Sequence, residues 1–419
     1  MTGPARPLDD WVDAMGTLWP EAAVRVDRRP AGARIGSAPR TYLVLPSARR
    51  PKVLIPAGER ALAVATANRS SAADSLTRRL SRHGLATLLR LGMSWAFRDR
   101  VTIHPAPTTI SIEDYLAEFI GEPVRLTVAI GSARANRKPV LHAYTAAGTE
   151  IGFAKVGTTV LANQLIRSEA ATLQRLAEHG LTTVDVPPVR HHGCWHDHEV
   201  LLLGALPTGG HPPGAPPADA MRELAQISAT PPEPLAGGPW FTSLPDRVGR
   251  LDAELTIRIG ELATALAKRH GETELAHGAW HGDWGPWNMG WHRGRPQLWD
   301  WERFGIGVPV GFDAAHYLAH PALARVGRRR AALAALAGPV TAAVTEMTGA
   351  RPDSAVPAAV IDAYLVELAC RFATDCGPDP DDWVRRAAIW RVELAEHRLA
   401  TPIRDRRSPG SAIRIRRAR

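Results

Sequence analysis

The sequence predicts an α+β protein, with strands gathered in the first half of the chain and helices dominating the second. Short apolar runs such as Glu150–Val156 and Val200–Leu203 read as strands in the first half of the chain. Gly209-Gly-His-Pro-Pro-Gly-Ala-Pro-Pro217 is a linker rich in residues that end both helices and strands. Residues 218–400 then read as mostly helical, apart from one hairpin near 280–302. Hydrophobic residues at 45% and charged residues at 22% are ordinary for a soluble globular protein. A chain of 419 residues can bury a large core and suits roughly two to three domains.

Residues 1–105 form an additional N-terminal α/β segment. Thr41–Pro46 and Lys52–Pro56 flank a turn at Ser47–Pro51 and predict a β-hairpin. Leu76, Leu80, Leu88, Leu91 and Trp95 fall on one helical face, with Arg78, Arg79, Arg82 and Arg90 elsewhere. Such a basic amphipathic helix can bind a membrane surface, but more often packs its apolar stripe on its own core. Residues 106–208 form the smaller lobe, led in by a helix at Ser111–Ile120, and residues 209–403 the helical lobe. Further helices are predicted near Leu251–Arg269, Arg329–Thr348, Ala358–Cys370 and Asp381–Leu399. Residues 404–419 are a basic tail read as unstructured.

Cys194, Cys370 and Cys376 make neither a disulfide framework nor a zinc pattern. Met1–Asp10 lacks the apolar core of a signal peptide, and no run reaches the ~18 apolar residues of a membrane span. These features predict a reducing, cytoplasmic setting. The net charge of +9 does not imply a specific nucleic-acid partner. Arg404–Arg419 carries seven arginines against Asp405, which is most of that excess. The tail is either inert or a weak contact for anionic surfaces.

Residues 280–302 carry the chemistry: Trp-His-Gly-Asp-Trp-Gly-Pro-Trp-Asn-Met-Gly-Trp-His-Arg-Gly-Arg-Pro-Gln-Leu-Trp-Asp-Trp-Glu. Phosphoryl transfer needs a carboxylate that orients the attacking hydroxyl and oxygen ligands that hold Mg²⁺ on the phosphates. Asp283 suits the first task. Asn288 and Asp300 offer the hard oxygens that Mg²⁺ prefers. Glu302 sits two residues past Asp300, so on an extended strand both side chains share a face. Trp284, Trp287, Trp299 and Trp301 surround these carboxylates, mostly as core.

His281-Gly282-Asp283-x-x-x-x-Asn288, followed by Leu298-Trp299-Asp300-Trp301-Glu302, resembles the signature of the aminoglycoside phosphotransferase and choline kinase family. That resemblance implies a two-lobed protein-kinase-like fold, with a small antiparallel β-sheet lobe and a mostly helical lobe, and a catalytic base at Asp283. It further implies metal ligands at Asn288 and Asp300, a loop-holding His281 and a bracing Asp313 in Gly311-Phe312-Asp313. It also implies a nucleotide-binding lobe. Lys155, on the strand Glu150–Val156, would pair with Glu169 on the helix that follows and hold the α and β phosphates. Val128–Leu141 reads as strand, loop and strand in the place of the loop that covers the nucleotide. It has one glycine, Gly131, with Ser132 and the cations Arg134, Arg137 and Lys138 in place of a Gly-x-Gly-x-x-Gly run. Leu203 and Ala205 fall at the hinge, whose backbone would meet the base, so the residues do not separate ATP from GTP.

The implied function is transfer of the γ-phosphoryl group of ATP or GTP, with Mg²⁺, to a hydroxyl of a small molecule: a sugar, an aminoglycoside-like compound or an amino alcohol. Two alternatives are a kinase for a glycan or lipid-linked acceptor docked by residues 1–105, and a catalytically silent nucleotide-binding scaffold.

Overall fold

The structure, a computed structural model, describes residues 15–27, 40–49, 51–68, 76–93, 97, 99–104, 109–129, 139–207, 216–249, 251–351, 353–376 and 382–401. Ser132, Arg134, Arg137, Lys138, most of the 209–217 linker and the basic tail lie outside the described residues.

The strands of the first half are β1 (Ala23–Asp27), β2 (Arg40–Leu45), β3 (Val53–Pro56), β4 (Arg100–His104), β5 (Val124–Ala129), β6 (Val140–Thr145), β7 (Glu150–Val156), β8 (Val189–Trp195) and β9 (His198–Gly204). They make one nine-stranded sheet in the order β1-β4-β2-β3-β5-β6-β7-β9-β8. Every neighbouring pair is antiparallel. The hairpin predicted around Ser47–Pro51 forms as β2 against β3.

The sheet runs unbroken across residue 105. β3 pairs with β5 through Val53 opposite Ala129 and Leu54 opposite Val128. A common core lies beneath both parts, in which Met15, Trp19, Tyr42 and Leu54 pack with Leu116, Leu126, Leu141 and Val200. The helix Ile112–Ile120 starts at a capping box: the Ser111 hydroxyl accepts from the Asp114 N–H, and the Asp114 carboxylate accepts from the Ser111 N–H. On that helix the buried Glu113 carboxylate accepts from Trp19 Nε1 at 3.3 Å and Tyr42 Oη at 3.4 Å, and it pairs with Arg40. A buried carboxylate is tolerable only with such partners, and here all of them come from the first 105 residues.

Over its described side chains, from His83 onward, the helix Leu76–Arg90 does not bury the face the leucine spacing suggests. Ala86 and Leu89 are buried against Leu43, Leu45 and Ile55, whereas Leu88 and Leu91 are exposed. Of the leucines counted in the periodic stripe, Leu88 and Leu91 are therefore not in contact with the sheet; Ala86 and Leu89 are.

In the second lobe the helices Ala253–His270, Phe312–Leu323, Val356–Thr374 and Asp382–Ala400 share one core with Ile259, Leu266, Phe312, Tyr364 and Trp390 inside. β10 (Thr230–Pro234), β11 (Glu274–Trp280) and β14 (Gly305–Pro309) form a three-stranded sheet, and β12 (Met289–His292) with β13 (Arg295–Leu298) forms a hairpin. The stretch Arg329–Thr348 is long and apolar enough, by length and composition, to cross a membrane, which departs from the expectation that none is. Its Ala332, Leu336, Val340 and Val344 recur every fourth residue and are buried in the helical-lobe core. Pro339 sits inside it, and the backbone widens to a π-helical turn at Leu336–Val340, as expected where a missing N–H breaks the regular ladder.

Candidate active site

The hairpin sets the spacing of the motif. Met289 faces Leu298 and His292 faces Arg295, with Arg293 and Gly294 both at positive φ in the two-residue turn. One step beyond the ladder, the Trp299 N–H donates to the Asn288 carbonyl at 3.0 Å. Residues distant in sequence are thereby neighbours, with Asn288 entering the hairpin and Asp300 leaving it. Asp300 is not on a strand, as the extended reading supposed. It adopts φ 71°, ψ 58°, and Trp301–Arg303 follows as a 3-10 turn. The left-handed region is sparse for residues with a side chain, and aspartate is among the few that enter it. The turn, rather than strand alternation, brings Glu302 beside Asp300. The carboxylate oxygens of Glu169, Asp300 and Glu302 lie within 4.8 Å of one another.

Across the sheet, Lys155 on β7 donates to both oxygens of Glu169, at 2.7 and 2.6 Å, and to Asp300 Oδ1 at 2.6 Å. Glu169 belongs to the helix Val160–His179 and is fully buried; it also accepts from the Trp301 N–H at 3.2 Å. Burial disfavours the ammonium, but the Asp300 and Glu169 charges outweigh it and hold Lys155 above its ordinary value. Lys155 therefore joins the first lobe to the hairpin of the second.

Asp283 stands on the loop that follows β11. Its Oδ2 accepts from Asn288 Nδ2 at 2.8 Å and Trp287 Nε1 at 3.3 Å, and its Oδ1 faces His316 Nε2 at 3.1 Å. Tyr364 Oη lies 3.0 Å from His316 Nδ1. A neutral His316 that accepts from the tyrosine and donates to Asp283 satisfies both contacts, and burial does lower the His316 value. Burial would raise the Asp283 carboxyl, yet the His316 hydrogen bond and the Arg371 cation hold it far below the usual range.

The loop itself is held from three sides. His281 and Gly282 donate their N–H groups to the Asp313 carboxylate at 2.8 and 3.2 Å. The Asp283 N–H donates to His281 Nδ1 at 3.1 Å, and His281 Nε2 meets the Trp299 carbonyl at 3.2 Å. Arg371 donates to the Gly282 carbonyl. Gly282 has φ +86°, and a Cβ there would stand 2.2 Å from the Arg303 carbonyl oxygen, so the loop requires glycine at this point.

The predicted residues Lys155, Glu169, Asp283, Asn288, Asp300, His281 and Asp313 thus come together around one hairpin. Leu203 is taken up in the sheet on both sides, opposite Phe153 and Val189, and Ala205 is half-buried just past the ladder. Sequence reading missed His316, Tyr364, Arg371 and Arg391. His316 and His320 had a signal: with Asp313 they recur at helical spacing on one face of Phe312–Leu323.

Acid should loosen this site. Burial pulls His281 down to about 4, whereas an unfolded histidine binds its proton from about pH 6.5. Between those values the unfolded chain holds more protons, so stability falls as pH drops through the window. His316 and His320 are lowered by burial as well and act in the same direction. Asp313 opposes them: burial pushes its carboxyl up to about 7, so its share of stability declines as pH rises from about 4 to about 7. Unfolding measured at pH 7.5 and pH 4.5 should show His281→Gln losing about 2–3 kcal/mol less than the parent on acidification. Equal losses in the two proteins would refute this account.

Residues 155–347 match the model of a family described as the phosphotransferase enzyme family. No curated protein matches the chain. Among solved structures, a thermostable mutant of aminoglycoside phosphotransferase APH(4)-Ia is similar, with 14% identity, a TM-score of 0.44, and coverage of 68% of this chain and 98% of that one. The amicoumacin kinase hAmiN, in complex with AMP-PNP, Ca²⁺ and Ami, has 11% identity, a TM-score of 0.41, and coverage of 64% and 88%. Aminoglycoside phosphotransferase APH(2'')-Ib, ADP-bound, has 12% identity, a TM-score of 0.39, and coverage of 67% and 97%. The resemblance to aminoglycoside phosphotransferases read from the 281–302 motif is borne out by the family match.

Proposed function

With residues 155–347 matching a phosphotransferase family, we propose that the chain moves the γ-phosphoryl group of a nucleoside triphosphate, ATP or GTP, to a hydroxyl of a small molecule. The observation that carries this reading is the convergence of Lys155, Glu169, Asp300 and Glu302 beside the Asp283–Asn288 loop. A cation for phosphate, a cluster of hard oxygens and a carboxylate for the nucleophile are the parts phosphoryl transfer needs.

Lys155, fixed by Glu169, binds the phosphates as a point charge. Asp283 accepts the hydrogen bond of the acceptor hydroxyl and aims it. The hydroxyl oxygen forms its bond to γ-phosphorus as the bond to the bridging oxygen breaks. The nucleoside diphosphate leaves with that electron pair, and Asp283 receives the proton. Because Asp283 is held strongly ionised, it is a weak base, and its main work is orientation, with proton transfer late. His316 and Tyr364 fix the carboxylate, and Asp313 and Arg371 fix the loop beneath it.

The donors fit Mg²⁺. Glu169 gives both oxygens to Lys155, whereas Asp300 gives it Oδ1, and Glu302 lies in the same cluster; Asn288 points its amide nitrogen at Asp283, so its oxygen is not used in that bond. Asp300, Glu302 and the Asn288 oxygen would hold the ion, and bound there it would neutralise charge on the phosphates. Titration calorimetry of ATP and GTP with and without Mg²⁺ tests the reading, followed by mass measurement of a hydroxyl-compound panel for the gain of one phosphoryl group. Metal-dependent binding of at least one nucleotide is expected. Its absence for both would overturn the phosphotransferase reading.

A further inference from the structure

A cleft opens beside Asp283, and its far wall differs from its catalytic end. The catalytic end carries the carboxylates Asp283, Asp300 and Glu302. The far wall is formed by the helices Val356–Thr374 and Asp382–Ala400, which place Arg371, Phe372, Trp383 and Arg391 there. Its one described carboxylate, Asp375, is bonded through both oxygens to Arg303 Nη2, at 2.8 and 2.9 Å.

Arg391 is only 4% exposed. Its guanidinium lies 3.4 Å above the Phe372 ring and its Nη1 donates to the Ala387 carbonyl of its own helix. Among the described residues no carboxylate pairs with it, and its Nε meets no acceptor. The Trp383 Nε1, buried on the same wall, also meets none. Burial pulls Arg391 down to about 9, with the Arg371 cation adding to the shift, so it is still charged at neutral pH. A buried cation and a buried indole N–H without acceptors are costly unless something supplies the missing oxygens.

Resting on the phosphotransferase reading above, we propose that the acceptor carries an anionic group, a carboxylate or a phosphate monoester, which docks on Arg391 and Trp383 while its hydroxyl meets Asp283. A planar guanidinium braced on an aromatic face is well suited to the oxygens of such a group. A polycationic amino sugar would instead bring its ammonium groups against Arg371 and Arg391, a like-charge contact. The inference therefore narrows the acceptor to hydroxylated acids or sugar phosphates.

The probes are glycerate with glycerol, and gluconate and glucose 6-phosphate with glucose, added at matched ionic strength to protein saturated with Mg²⁺ and ADP. The nucleotide keeps the anions off Lys155. Thermal stabilisation is read for the parent, Arg391→Met and Arg391→Lys, and phosphoryl transfer to the same compounds is followed with ATP. The anionic member of a pair should half-saturate the parent at a concentration roughly 10- to 100-fold lower than its uncharged counterpart. That preference should vanish in Arg391→Met and return in part in Arg391→Lys. A preference for carboxylate over phosphate ester, or the reverse, identifies the source of the anion. Equal effects of charged and uncharged members on the parent overturn the proposal, as does an anion preference that survives in Arg391→Met. If Arg391→Met does not fold, the parent's comparison and Arg391→Lys decide. Metal-dependent nucleotide binding with no anion preference sinks this inference alone, while loss of nucleotide binding sinks the reading on which it rests.

Discussion

Asp283→Asn should lower phosphoryl transfer by roughly 10²–10⁴-fold, the usual worth of a positioned proton acceptor, while leaving nucleotide binding near the parent's. The substitution keeps the side chain's shape. It replaces one acceptor oxygen of a carboxylate that receives Asn288, Trp287 and His316. The new amide has donors where those neighbours are donors too, so orientation is lost together with charge. Asp283 is not among the three carboxylates clustered beside Lys155, so Mg²⁺-dependent nucleotide affinity should persist. Single-turnover transfer and calorimetry on one preparation check the split. Should Asp283→Asn abolish metal-dependent binding, Asp283 is a metal ligand and the roles of Asp283 and Asp300 have to be exchanged.

Lys155→Met should combine a large loss of stability with a large loss of turnover. Its ammonium contacts both oxygens of Glu169, which is 0% exposed, and one of Asp300. Removing one partner of a buried pair leaves a charge uncompensated, at a cost of about 3–5 kcal/mol. Adding Glu169→Gln to Lys155→Met takes away that stranded charge and should recover part of the stability, because a neutral amide can keep the hydrogen bond from the Trp301 N–H. Affinity for Mg²⁺ and nucleotide should not recover, since the phosphate cation is still missing. Denaturant unfolding and nucleotide titration on the single and double variants separate the two effects. Recovery of both together would mean that Lys155 acts only as a structural ion pair and does not touch phosphate.

Much of the site could be read in advance because its pieces are local. The residues from His281 to Glu302 form one continuous loop, hairpin and turn, and the strand Glu150–Val156 and the helix holding Glu169 announce themselves by short-range periodicity. The parts that escaped depend on contacts between distant segments. Tyr364 reaches His316 from another helix, and Arg371 reaches Gly282 from 89 residues away in sequence. No spacing rule encodes such meetings. The left-handed turn at Asp300 also escaped, since φ > 0 at an aspartate is a local preference that the surrounding strand pattern hides. At Leu76–Arg90 the periodicity indicated a helix but not which face it buries, because Ala86 weighs little on a hydrophobic scale and yet fits the sheet.

The shared sheet changes what the first 105 residues are. They contribute four of its described strands and the partners that neutralise Glu113, so they are expected to melt together with β5–β9 as one cooperative unit. A chain begun after residue 105 would bare the β3-facing side of β5 and leave Glu113 without Trp19, Tyr42 and Arg40. Such a naked edge offers its N–H and C=O groups to any neighbouring copy and invites aggregation. The leading segment thus behaves as the missing flank of the fold rather than as a detachable appendage, and insertions or deletions within its strands will be felt at Lys155 through β5, β6 and β7.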